Sequence, residues 1–288
     1  MKKKDTTKDH KERINEVQYH IYKHLSSKLL IEDLAKISSY SPYHFQRIFK
    51  DIIGKSVVNY IKDLRLQWAA NLLIFNPQST ITDIAYSCGF KSSATFSNEF
   101  KKYYNTTPAL WRKGDYVNYQ PKDYELREKE VDFSKIEIKK IPEIQIAYMR
   151  HRGYDKTIKN MWQKFLYELE DKFDIKDPTM MAFHHSNPNI TSVEEYRYIA
   201  CIDLQKNIIT PQGDIGLCSI NGGLYACIRY QGICEDALTL YKKIYHQWLP
   251  SSEFEALNSS ANVLYHKNNY LNEKDEFDIE FRVPIKYK

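Results

Sequence analysis

Long hydrophobic runs are missing from this sequence: no stretch of about 18 apolar residues occurs, which argues against a transmembrane helix. The charged start, Met1–Asp5, leads into no apolar core, so a signal peptide is not expected and a cytoplasmic location is. Cysteine is sparse, and the five present, Cys88, Cys201, Cys218, Cys227 and Cys234, form no C-x-x-C pair. Reduced, buried thiols acting as small hydrophobes are the expectation. No G-x-S-x-G, H-E-x-x-H or Cys/His signature is present, so no catalytic residue, metal or cofactor is expected.

What the chain does have is length and unevenly placed charge. Its 288 residues suffice for about two domains. Residues 1–115 carry 19 Lys and Arg against 11 Asp and Glu, a surplus of eight; the remainder carries 23 against 26. Positive charge confined to the first part points to a polyanionic partner for that part.

The apolar spacing from Lys11 to Lys113 is helical and broken at Ser38–Ser41, Gly54, Asn76–Ser79, Gly89–Ser93 and Asn105–Thr107, which fits seven short helices. Residues 1–10 are polar and expected to fray. Residues 114–131 read as a linker between a domain at 1–113 and another at 132–288. Beyond it, Ile144–Met149, Tyr196–Leu204, Leu224–Tyr230 and Phe277–Ile285 have the composition of strands. Helical stretches near Thr157–Phe173 and Glu235–Trp248 interrupt them, giving an α+β domain.

The helical half repeats itself. Ile31–Ala35 (IEDLA) recurs as Ile81–Ala85 (ITDIA) fifty residues later, and Phe49-Lys50 as Phe100-Lys101 fifty-one later, with Gly54 matched by Asn105. Each copy offers a short helix, a tight turn and a second helix. Gly89 supplies positive φ at the second turn, where the first has Ser39, a less comfortable residue. Ser41 before Pro42, and Ser92 or Ser93, are expected to cap the second helices. With Phe45, Ile48 and Phe49 inward in one copy, and Phe96 and Phe100 in the other, the outward faces carry Tyr43, Gln46 and Arg47, and Thr95, Ser97 and Asn98. Such side chains suit base edges and phosphates in duplex DNA. Ser56 to Phe75 forms one long amphipathic helix between the copies. Joining them rigidly would set the second helices about one DNA turn apart, in successive major grooves.

These residues resemble the AraC/XylS family of transcription regulators. The likeness runs from about Leu30 to Arg112. It is carried by Phe49-Lys50, Gly54, Tyr60, Arg65-Leu66, Ala69, Leu72-Leu73, Ile84-Ala85, Gly89-Phe90, Phe96, Phe100-Lys101, Pro108 and Arg112. The resemblance implies an all-α double helix-turn-helix domain in which Tyr43, Gln46 and Arg47 contact one half-site and Ser93, Thr95, Ser97 and Asn98 the other. The second set is small and mostly uncharged, so weaker direct readout is expected there.

The C-terminal half is similar to GyrI-like effector-binding domains through Ile141-Pro142-Glu143, Trp162, Tyr196-Arg197-Tyr198, Trp248-Leu249-Pro250-Ser251 and Val283-Pro284-Ile285. That likeness implies two strand–helix–strand–strand halves around a groove for lipophilic small molecules. Tyr148, Trp162, Tyr230, Trp248, Phe254 and Tyr265 are the aromatic candidates for lining it. Such domains often hold a buried glutamate two residues before a tyrosine; if Tyr265 is that tyrosine, Val263 stands in its place. Glu253, Glu255 and Glu280 are the candidates to replace it. The reading is therefore a DNA-binding regulator with double-stranded promoter DNA, a small lipophilic or aromatic effector and RNA polymerase as partners. The alternatives keep the DNA-binding half and make the C-terminal domain a protein-interaction module or a small-molecule hydrolase.

Overall fold

The computed structural model describes residues 2–288 except 77, 120–129, 154, 156, 185, 187–189, 192–194 and 258–259. The chain divides into two compact units, one comprising residues 1–119 with 211–216, the other 120–210 with 217–288. Of the linker expected at 114–131, residues 120–129 lie outside the described residues, and Asp115–Tyr119 form a 3-10 turn.

Among the described residues the first unit has seven helices: α1 (Lys2–Lys23), α2 (Ile31–Ile37), α3 (Pro42–Ile53), α4 (Val57–Phe75), α5 (Ile81–Ser87), α6 (Ser93–Tyr104) and α7 (Pro108–Arg112). Contrary to the expected fraying of residues 1–10, α1 already begins at Lys2. It is anchored further on by Ile14, Val17 and Ile21, all buried, whose spacing places them on one helix face. They join Leu34, Ala35, Phe45, Ile48, Phe49, Val57, Ile61 and Leu64 in one core. Sequence caps set the helix starts. Ser41, Ser56, Thr80, Ser92 and Thr107 each accept a backbone N–H from three residues on, and each such cap contributes about 1 kcal/mol. No helix among the described residues is long and apolar enough to cross a membrane.

The second unit is one antiparallel sheet with helices. Its strands are β1 (Glu137–Ile141), β2 (Ile144–Arg152), β3 (Met180–His184), β4 (Arg197–Asp203), β5 (Ile215–Ile220), β6 (Gly223–Ile233), β7 (Phe254–Ala256), β8 (Asn262–Lys267) and β9 (Glu276–Tyr287). They run in the order β1-β6-β9-β8-β3-β4-β2-β5, with β7 added to β9. Helix α8 (Thr157–Phe173) follows β2. Helix α9 (Cys234–Lys243) follows β6 and continues through a π turn at Ile244–Trp248.

The two expected halves are visible in this order. β2-α8-β3-β4 and β6-α9-β8-β9 put β3 and β8 at the centre, where they pair through Met181 and Leu264. The leading strands cross over, β1 pairing with β6 and β5 with β2. At this crossing a Cβ on Gly222 would lie 2.8 Å from the backbone nitrogen of Glu143, so no side chain fits there. Buried Ile158, Met161, Trp162, Phe165 and Leu169 form the apolar stripe of α8.

Candidate nucleic-acid interface and ligand site

The turn of each helix pair is built around one left-handed residue. Ser39 adopts φ 55° and Gly89 φ 81°, a conformation that costs a side-chain-bearing residue roughly 1–2 kcal/mol. Helices α3 and α6 end alike, on left-handed Gly54 and Asn105. The shift of the repeat from fifty to fifty-one residues falls in the turn. Residues 38–41 separate α2 from α3, whereas residues 88–92 separate α5 from α6.

From the caps onward the second helices superpose in register. Ser41 matches Ser92, Phe45 matches Phe96, and Phe49 matches Phe100. The buried ring pairs have nearly the same geometry, with centroids 5.7 Å apart in α3 and 5.5 Å in α6 and both at 65°. With the inward face fixed, Tyr43, Gln46 and Arg47 are exposed, Tyr43 at 80%. In α6, Thr95 and Asn98 are exposed and Ser93 and Ser97 half-buried. The register places Ala94, Ser97 and Asn98 opposite Tyr43, Gln46 and Arg47. Ala94 and the exposed pair Lys50 and Lys101 belong to the same outward rows. They were legible from the repeat offset but were not among the expected reading residues. Thr95 is partly occupied by the cap, since Ser92 Oγ donates to its hydroxyl at 2.9 Å.

Helix α4 holds both pairs. Towards the first, Arg65 Nε donates to Leu25 O at 3.0 Å and its Nη2 to Ser27 O at 2.7 Å. Gln18 Nε2 donates to Tyr60 Oη at 3.1 Å. Towards the second, Lys62 pairs with Glu99 at 2.8 Å and Gln67 Nε2 donates to Tyr103 Oη at 2.9 Å. Trp111 Nε1 donates to Ala70 O at 3.1 Å, tying α7 to the same helix. Hydrogen bonding to Lys62 holds the Glu99 carboxyl below its ordinary range.

In the second unit the six aromatic candidates do not converge. Trp162 and Tyr265 meet edge to face, with centroids 6.1 Å apart. Trp162 Nε1 donates to Tyr198 Oη at 2.9 Å, and the Tyr198 and Tyr265 hydroxyls are 3.0 Å apart. Tyr270 lies edge-on to Tyr198. Burial pushes the Tyr198 hydroxyl well above its usual range. Tyr198 and Tyr270 were absent from the expected lining.

Tyr148 is on the opposite face of the sheet. It packs with Ile146, Met181, Ile199 and Cys201, and Arg150 lies over its ring at 4.8 Å. Tyr230 lies beside Phe277, while Trp248 stacks on Phe254, which touches Tyr287.

Val263 is buried and, two residues from Tyr265, shares its strand face. None of the three candidate carboxylates replaces a glutamate there. Phe281 meets Tyr241 of α9, so its neighbour Glu280 faces away from the helices. Burial would raise the Glu280 carboxyl, but Lys139 at 2.8 Å and Arg282 at 2.6 Å outweigh it and hold it low. Glu255 pairs with Lys286 at 2.7 Å, and Glu253 is exposed. Burial raises the Cys88 and Cys218 thiols to about 12 and Cys227 to about 11, so all three stay protonated at neutral pH. The side chain of Cys234 lies outside the described residues.

Two family models match separate parts of the chain. Residues 134–286, more than half of the chain, match the GyrI-like small molecule binding domain, and residues 34–114 match a helix-turn-helix domain. The chain is 47% identical over 83 residues to the probable transcription factor PqrA of Proteus vulgaris, covering 29% of this chain and 67% of that one. It is 34% identical over 105 residues to the HTH-type transcriptional activator AarP of Providencia stuartii, covering 35% and 75%. With the right origin-binding protein of Escherichia coli K12 it shares 39% identity over 90 residues, a match spanning 31% of each chain. The chain belongs to the AraC-type helix-turn-helix regulators and carries a GyrI-like small-molecule-binding domain.

Proposed function

We propose that this chain is a transcription regulator that reads two adjacent major grooves of promoter DNA through residues 1–113. In this reading a small lipophilic ligand held within residues 132–288 modulates it, and contact with RNA polymerase transmits the effect. The observation that carries the DNA reading is the pair of like-capped helices, α3 and α6, fixed to one rigid α4 with polar outward faces. Tyr43, Gln46 and Arg47 take one half-site, and Ser93, Thr95, Ser97 and Asn98 the other. For the ligand, the buried Trp162–Tyr198–Tyr265 cluster with Val263 beside it supplies the aromatic rings and hydroxyls; the three carboxylates weighed above are directed elsewhere. Neutral aromatic molecules fit this chemistry better than cations. A hydrolase would need a carboxylate of raised pKa among those rings, which Val263 does not provide, so we propose a binding role without catalysis.

Two measurements test the two halves. Affinity for duplex DNA should fall steeply with salt as phosphate contacts release counterions; a flat profile would contradict the DNA reading. Thermal melting of the full chain with neutral and cationic aromatic compounds should show stabilisation by the neutral ones. Stabilisation by cations alone would overturn the ligand assignment.

A further inference from the structure

Within the helical unit Arg65 occupies a position that neither the repeat nor the reading faces require. It stands on α4 between the two helix pairs. Its guanidinium donates to Leu25 O at 3.0 Å and to Ser27 O at 2.7 Å, just beyond the end of α1. Leu25 is itself buried in the core of the first pair. The same guanidinium lies against the turn of the second pair. A Cβ built on Gly89 would come within 2.9 Å of Arg65 Cζ, Nε and Nη2. Cys88, beside that glycine, is buried, and burial lowers the pKa of Arg65. One side chain thus binds the first reading unit through two charge-assisted hydrogen bonds and packs on the turn of the second. The planar fork suits two carbonyls at once; a lysine could satisfy only part of that arrangement.

We propose that Arg65 is the positioning residue that sets the distance and angle between the two reading helices, and so the half-site spacing the protein accepts. This rests on the two-groove reading above. Gly89 is part of the same device. A methyl group there must push the guanidinium aside, and the displaced group loses its carbonyl partners. Apart from the backbone strain of a side chain at φ 81°, the effect of changing Gly89 on the spacing passes through Arg65.

The test is selection from a pool of random DNA duplexes with the full chain, comparing wild type, R65K, R65A and G89A. Wild type should enrich two half-sites at one spacing. R65A should keep both half-sites, while discrimination against a one-base-pair change in spacing falls at least about tenfold, the size expected for one lost hydrogen bond to a charged group. R65K, which retains the charge, should show a smaller loss in the same direction. G89A should broaden the spacing as well, and R65A/G89A no further than R65A alone.

Enrichment of the wild-type spacing by both R65A and R65K, whatever their affinity, would overturn the proposal while leaving two-groove reading intact. Enrichment of a single half-site by wild type would defeat the two-groove reading and the proposal with it.

Discussion

The two helix-turn-helix copies share a skeleton and differ in nearly everything placed on it. Their second helices have like caps, like ring pairs and like left-handed ends. Yet the first presents Tyr43, Gln46 and Arg47 where the second presents Ala94, Ser97 and Asn98. The comfortable residues are also divided between them. The first copy ends α3 on Gly54 but starts α2 on Leu30, whose side chain makes no cap, and turns at Ser39. The second starts α5 on Thr80 and turns at Gly89, but ends α6 on Asn105. The fold tolerates one strained position per copy, because packing fixes the helices and the outer rows remain free to specialise.

This contrast yields graded expectations. The largest is for Arg47→Ala, which should cost about 1–3 kcal/mol at one base position if the guanidinium grips a guanine. Affinities for duplexes substituted base by base would show it, and an equal loss on every sequence would reassign Arg47 to phosphate.

Next comes the turn. Gly89→Ala should lower stability by roughly 1–2 kcal/mol, read from urea unfolding followed by helical circular dichroism. Ser39→Gly should instead raise it by about 0.5 kcal/mol, since relief at φ 55° outweighs glycine's entropy. Opposite signs at matched positions would confirm that the two turns share a conformation.

Asn98→Ala should weaken binding by less than Arg47→Ala. Asn98→Arg should strengthen it and steepen the salt slope by about one unit. An Asn98→Ala loss as large as that of Arg47→Ala would remove the asymmetry between the copies.

The smallest effect concerns acid. The Lys62–Glu99 pair anchors α6, whereas the register puts buried Ile48 at the matching position of α3. Because the Glu99 pKa is lowered in the folded chain, its contribution is present above the usual carboxylate range and is lost as pH falls through the lowered value. Amide exchange in α6 should therefore quicken relative to α3 below about pH 4, and Glu99→Gln should abolish the difference.

Much of the helical unit could be read directly from residue order. Ser41-Pro42, Gly54, Ser92 and Gly89 announce caps and turns by chemistry that acts within a few residues, and the 3.6-residue period fixes the inward rings. Helix α8 was equally plain. The sheet was less so, because strand pairing depends on partners far along the chain. β3 (MMAFH) and β8 (NVLYHK), the central pair, are short and poor in β-branched residues, and β1, β5 and β7 lie beside turns. The scattering of the aromatic candidates has the same origin. A one-residue change of parity sends Tyr148 to the face opposite Tyr198, as their registers with Cys201 and His151 require. The sequence shows twenty-three tyrosines but not which strand turns each one inward.

The most direct test of the account is a base-pair scan. The duplex that wild-type protein selects would be substituted one pair at a time and the affinity of the full chain measured on each. The proposed two-groove reading predicts losses gathered in two blocks about one helical turn apart, heavier in the block assigned to α3 than in the block assigned to α6. Losses confined to one block, or spread evenly along the duplex, would contradict it.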